Sequence, residues 1–143
     1  MDPGKKNDLP QGWRLVGLED LQILIQMEKT VFGNSSWSNY SIQSHIENHP
    51  AWIKEDVGYV FYMDLNDFSE LLRIGILPER RKKGEAESIL RTLCNLFPKV
   101  ILEVSNLNSS AISLYSKLGF LESGRRKSYY GPGEDAILME KFR

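Results

Sequence analysis

The chain predicts a single mixed α/β domain, and three observations lead there. Short apolar runs of strand length alternate with amphipathic stretches of helix length. Their order is strand, loop, helix, strand, helix and a final strand pair, which calls for a central sheet with helices packed on it. No repeat, low-complexity tract or internal linker interrupts them. With 143 residues, 41% hydrophobic and 26% charged, the chain is long enough to bury one genuine core.

Residues 1–10, rich in Pro, Gly, Lys and Asp, are expected to form a tail, leaving residues 11–143 as the domain. Trp13 to Val16 reads as a short strand. Asp20 stands where a cap would open a helix to about Phe32, with Leu21, Leu24, Ile25 and Glu28 at helical spacing. Gly33 to Ser36 is a loop, and Ser38 or Asn39 caps a second helix that must stop before Pro50. Ala51 to Met63 is extended, with a tight turn near Asp56 and another at Asp64 to Asp67. Leu71 to Leu77 is an apolar run ended by Pro78, as in a buried strand. Glu85 to Phe97 has one apolar face and is closed by Pro98. Val100 to Val104 is a second buried strand, and Asn108 to Leu118 is a helix terminated at Gly119. Phe120 to Arg126 and Ala136 to Phe142 are expected to pair as antiparallel strands.

A net charge of −1 argues against bulk electrostatic binding of nucleic acid, although Arg80 to Lys83 and Arg125 to Lys127 are local basic runs. The single cysteine, Cys94, excludes an intramolecular disulfide and a multi-cysteine metal site. His45 and His49 have metal-ligand spacing but no third ligand in view, so no metal is expected. No apolar stretch reaches the length of a membrane span, and the polar first residues lack a signal-peptide core. The expectation is a soluble cytoplasmic protein.

Two stretches carry chemistry. The first is the strand Leu71-Leu72-Arg73-Ile74-Gly75-Ile76-Leu77, followed by Arg81-Lys82-Lys83-Gly84-Glu85-Ala86 and a helix. A loop of this kind at a helix N-terminus aims free backbone N–H groups and the positive end of the helix dipole at an anion. It lacks the Gly-Lys-Ser/Thr of a Walker loop and the spaced glycines of a dinucleotide fingerprint. Taken alone, it reads equally well as a solvated basic turn. The second stretch is Leu102-Glu103-Val104 followed by Asn108-Ser109-Ser110-Ala111-Ile112-Ser113-Leu114-Tyr115-Ser116-Lys117-Leu118-Gly119-Phe120. Here too bland readings exist: Glu103 as a surface charge, Tyr115 as a core aromatic, Asn108 as a helix cap.

Together, in this order and at this separation, the two stretches resemble the GNAT superfamily of N-acetyltransferases. The loop matches its Arg/Gln-x-x-Gly-x-Gly/Ala motif, and the helix matches its Asn-x-x-Ala-x-x-Leu-Tyr-x-Lys-x-Gly-Phe motif without a gap. Within it, the chain is most similar to the bacterial ribosomal-protein-alanine N-acetyltransferase (RimI) family. Glu28-Lys29-Thr30-Val31-Phe32, Trp37-Ser38, Arg125 to Tyr130 and Gly133 to Ala136 add to that likeness.

The resemblance implies a mostly antiparallel mixed sheet whose central strands splay, flanked by helices. It implies acetyl-CoA as cosubstrate, no metal, and direct transfer of acetyl to the α-amine of a protein N-terminus, with a ribosomal protein beginning with alanine preferred. A lysine side chain, a small-molecule amine or a non-catalytic acyl-CoA-binding role are the alternatives; nucleic acid and membrane are not expected partners. It makes Glu103 the general base and Tyr115 the general acid. Ile74, Gly75, Ile76, Arg81, Lys82, Lys83, Gly84, Glu85, Ala86 and Asn108 would bind the cofactor. Phe32, Trp37, Tyr129 and Tyr130 would face the acceptor, the two tyrosines as a flexible wall beside the Gly-Pro-Gly turn. The chain departs from the pattern in a shortened hairpin at 51–59, in Gly75 where alanine is usual, in Ala86 for a second glycine, and in Glu85 beside the pyrophosphate loop.

Overall fold

A computed structural model describes residues 9–143. Most of the expected N-terminal tail therefore lies outside the described residues. Leu9 already packs against the core, and the Pro10 carbonyl accepts a hydrogen bond from Trp13 N–H at 3.1 Å.

The elements are β1 (Arg14–Leu15), α1 (Leu21–Phe32), α2 (Asn39–Asn48), β2 (Ala51–Lys54), β3 (Gly58–Asp64), β4 (Ser69–Ile76), α3 (Glu85–Leu96), β5 (Lys99–Ser105), α4 (Ser109–Lys117), β6 (Leu121–Gly131) and β7 (Glu134–Phe142), with short 3₁₀ turns between some of them. One seven-stranded sheet runs in the order β1-β2-β3-β4-β5-β7-β6. Every neighbouring pair is antiparallel except β4–β5, which is parallel. The expected mixed, mostly antiparallel α/β architecture is what the chain adopts. Among the described residues no helix is long and apolar enough to cross a membrane.

Strand alternation splits the apolar residues between two faces. Trp52, Val60, Tyr62, Leu102 and Val104 join α3 and α4 on one face. Ala51, Ile53, Tyr59 and Phe61 join α1 and α2 on the other. The local signals act mostly as read. The Ser38 hydroxyl accepts from Ser41 N–H at the start of α2, and Asn108 caps α4 through Ala111 N–H. Asp20 does not cap α1 with its side chain. Its carboxylate turns back to Arg14 at 2.8 Å and to Gly17 N–H at 2.9 Å, and the Arg14 guanidinium holds it below the usual carboxylate range.

Two irregularities in β4 create the site. The parallel ladder to β5 covers only Ser69, Glu70 and Leu71, after which the strands part. The register with β3 also slips, since Phe61 faces Arg73 while the next residue, Tyr62, faces Leu71. Leu72 is therefore a bulged residue, and a bulge lets two successive side chains point the same way. Leu72 packs with the α1–α2 cluster and Arg73 contacts α1 as well, while Leu71 and Ile74 belong to the opposite face.

Candidate active site

The parting of β4 and β5 opens a cleft of about 850 Å³ through the sheet. One wall comes from α4, with Asn108, Ala111, Leu114 and Tyr115, and the other from the α1–α2 turn, with Phe32, Ser35 and Trp37. Residues of β4, β5, Tyr130 and Glu134 line the cleft between them. The site thus has two sides, and each face of the sheet supplies one.

On the α3–α4 side, no side chain caps α3, so its first backbone N–H groups are free for an anion. Gly84 sits at the N-cap with φ 78°, and a Cβ built there would meet nothing within 4 Å. The loop is thus open to a bulky phosphate, in a left-handed conformation that glycine adopts without strain. The Arg81 Nε donates to the Ile76 carbonyl at 2.9 Å and ties the loop to the end of β4. Glu85 is neutralised: Lys54 Nζ holds its carboxylate at 2.9 Å. Lys82 and Lys83 are exposed. Ile74 reaches the cleft, whereas Gly75 and Ile76 are buried in β4, and residues 81–86 lie outside the cleft lining. Beyond Leu71 the edge of β4 facing β5 has no strand partner, so backbone groups there, apart from the Ile76 carbonyl taken by Arg81, can meet an extended ligand.

Tyr115 projects into the cleft from α4. It is nearly buried, packs against Phe120, and its phenol is pushed up to about 12 by burial. Among the described residues its hydroxyl has no hydrogen-bond partner. The Asn108 side-chain oxygen accepts from Ala111 N–H at 3.2 Å, so this residue both caps α4 and lines the cleft.

On the α1–α2 side, Glu103 of β5 accepts a hydrogen bond from the Tyr130 hydroxyl at 3.3 Å and lies 3.7 Å from Arg126 Nε. Phe32 and Trp37 both line the cleft. Of the two tyrosines, the structure brings only Tyr130 to the cleft; Tyr129 is exposed and packs edge-on against it at 5.3 Å. The strand that carries them also runs past its expected end at Arg126. β6 extends to Gly131, with its register to β7 broken between Arg126 and Gly131, so the tyrosines lie in a bulged strand.

Three residues of this side were not assigned to the site from sequence. Glu70 lines the cleft on the same face as Glu103, and it makes no hydrogen bond or ion pair among the described residues. Burial, and secondarily the charge of Glu103, raises its pKa. Arg73 lines the cleft and grips Glu28, which is wholly buried and also accepts from Tyr59 Oη and from Trp37 N–H at 2.7 Å. Gly75 explains part of this cluster. A Cβ there would meet the Tyr59 ring at 2.6 Å, so the departure from alanine makes the room through which Tyr59 reaches Glu28. The signal for Glu28 was its charge within an apolar helical face.

Comparison with known proteins accords with this geometry. The profile of the Acetyltransferase (GNAT) family matches residues 19–120. A ribosomal-protein-alanine N-acetyltransferase of Salmonella typhimurium is 27% identical over 140 residues, covering 92% of this chain and 89% of that protein. An N-alpha-acetyltransferase of Sulfolobus acidocaldarius is 30% identical over 150 residues, covering 88% and 89%. Among solved structures, the Escherichia coli ribosomal-protein-alanine N-acetyltransferase superimposes with a TM-score of 0.76 at 24% identity, covering 90% of this chain and 92% of that one. Arabidopsis thaliana NAA60 in complex with acetyl-CoA gives 0.78 at 19% identity, covering 91% and 97%. These two likenesses establish the shared fold. With the family profile spanning both the loop at residues 81–86 and the tyrosine helix, the chain belongs to the GNAT family of acetyltransferases.

Proposed function

We propose that this enzyme transfers acetyl from acetyl-CoA to the N-terminal α-amine of a protein, and that its acceptor is a cytoplasmic ribosomal protein beginning with alanine. The observation that carries the chemistry is the placement of Glu103 and Tyr115 on opposite sides of one gap in the sheet. The acceptor class is supported by the Salmonella and Sulfolobus relatives, whose similarity covers about nine-tenths of the chain.

The residues present suit the donor. The uncapped α3 N-terminus and Gly84 would hold the pyrophosphate, and the unpaired edge of β4 near Ile74 would hold the pantetheine arm. When bound, acetyl-CoA supplies an acetyl group activated as a thioester. An N-terminal amine has a pKa of roughly 7.7–8.0 and is largely protonated at neutral pH. Glu103, with Glu70 beside it, attracts that ammonium and removes a proton as the amine attacks. Tyr115 gives its proton to the departing sulfur, a task suited to a phenol that burial keeps protonated.

The test is mass spectrometry of ribosomal proteins and of synthetic N-terminal peptides after incubation with the enzyme and acetyl-CoA. Acetylation at the α-amine supports the reading. Acetylation confined to a lysine in peptides whose α-amine is blocked assigns the enzyme to side-chain amines instead.

A further inference from the structure

Resting on the N-terminal-amine reading, we propose that Arg73 determines acceptor specificity by binding an acidic side chain at the second position of the acceptor. The bulge at Leu72 turns Arg73 onto the same face as Glu70, on the acceptor side of the cleft. There its guanidinium is fixed from three directions. Nε and Nη2 donate to the Glu28 carboxylate at 3.1 and 2.8 Å, Nη2 also donates to the Ser35 carbonyl at 2.7 Å, and the guanidinium stacks on the Phe32 ring 3.4 Å from its centroid.

These contacts leave Nη1 without a hydrogen bond among the described residues, although the side chain is only 19% exposed. Nη1 keeps enough exposure for water to reach it, so a ligand that enters the cleft and displaces that water must supply an acceptor in its place. Glu28 is already saturated by Arg73, Tyr59 and Trp37 N–H. The remaining donor, Nη1, is therefore the one Arg73 can offer to a peptide in the cleft.

The spacing selects which part of the peptide. Glu70 and Arg73 are three residues apart on β4, roughly 10 Å at strand rise and somewhat less across a bulge. With the α-amine held at the Glu70 and Glu103 end, consecutive Cα atoms about 3.8 Å apart carry a second-residue carboxylate roughly 8 Å from the amine. A carboxylate there meets Nη1 in a charge-assisted hydrogen bond, while a lysine at the same position meets like charge.

The experiment uses three peptides identical except at position two, Ala-Glu, Ala-Gln and Ala-Lys, with kcat/KM measured for each. The expected order is Glu, Gln, Lys, with Glu over Lys by ~10-fold or more, mostly in KM. Arg73→Gln should shrink the ratio to within ~2-fold. That change strands the buried Glu28 charge, so the double variant Glu28→Gln/Arg73→Gln is measured beside it, each with a thermal melt to establish folding. Equal kcat/KM for the three peptides with the unaltered enzyme, or an undiminished ratio in a folded variant, overturns the assignment while leaving the N-terminal reading intact. Turnover of none of the three, with acetylation of a lysine-bearing blocked peptide, overturns that reading and the Arg73 assignment with it.

Discussion

The Tyr130 hydroxyl donates to the Glu103 carboxylate at 3.3 Å, so the far end of β6 reaches back over β5 and holds the proposed base at the edge of the gap. Burial, then the nearby Glu103 charge, keeps the Tyr130 phenol protonated and able to donate. Glu103→Gln preserves shape but removes the base, so kcat should fall by roughly 10²–10⁴ while acetyl-CoA affinity barely changes. Tyr130→Phe removes only the supporting donor and should cost less, on the order of 10-fold. Steady-state thiol release on both variants checks the ranking. A larger loss in Tyr130→Phe than in Glu103→Gln would move the base away from Glu103.

Tyr115 is placed to separate catalysis from packing. Its ring packs on Phe120, but its hydroxyl has no partner among the described residues. Tyr115→Phe should therefore retain the melting temperature and lose ~10²-fold in turnover, with acetyl-CoA still bound. A lower melting temperature with turnover preserved would make it a core aromatic.

The proposed donor loop makes a separate demand at Gly84. Its φ of 78° is strained for any L side chain, although the space around it is open. Gly84→Ala thus tests strain alone, and Gly84→Asp adds a negative charge at the α3 N-terminus. Calorimetry should show acetyl-CoA affinity at least ~10-fold weaker in Gly84→Asp and much less affected in Gly84→Ala. Unchanged affinity in a folded Gly84→Asp protein would remove this loop from the site.

Glu70 predicts a pH-dependent stability of definite sign. Burial and the charge of Glu103 raise its pKa in the folded state, so the folded protein holds this proton more tightly than the unfolded chain does. The associated stability is complete below the ordinary glutamate pKa of about 4.3 and is lost as pH rises through the raised value. Glu70→Gln should melt above the unaltered protein at pH 7, and the difference should close toward about pH 4. The same variant should raise KM for the acceptor several-fold, ~2- to 10-fold, because one carboxylate facing the ammonium is gone. Identical melting curves at both pH values would show that the Glu70 charge costs the fold nothing.

The sequence by itself determined the kind and order of the elements, and it singled out the loop and helix that the proposed donor site uses. Those features are local: apolar periodicity, caps such as Ser38 and Asn108, and a glycine loop joined directly to its helix. Within a few residues, backbone preference and burial speak without help from the rest of the chain. Only the tertiary structure decided the proposed acceptor half. Whether Glu70 faces Glu103, whether Arg73 shares a face with Leu72, and whether Tyr129 or Tyr130 enters the cleft all depend on strand register and on two bulges. A one-residue shift in register moves a side chain to the opposite face, and register is set by pairing between segments far apart in the chain. Glu28 and Arg73, 45 residues apart, meet because β4 bulges beneath α1 and Gly75 leaves room for Tyr59. No local propensity encodes that meeting.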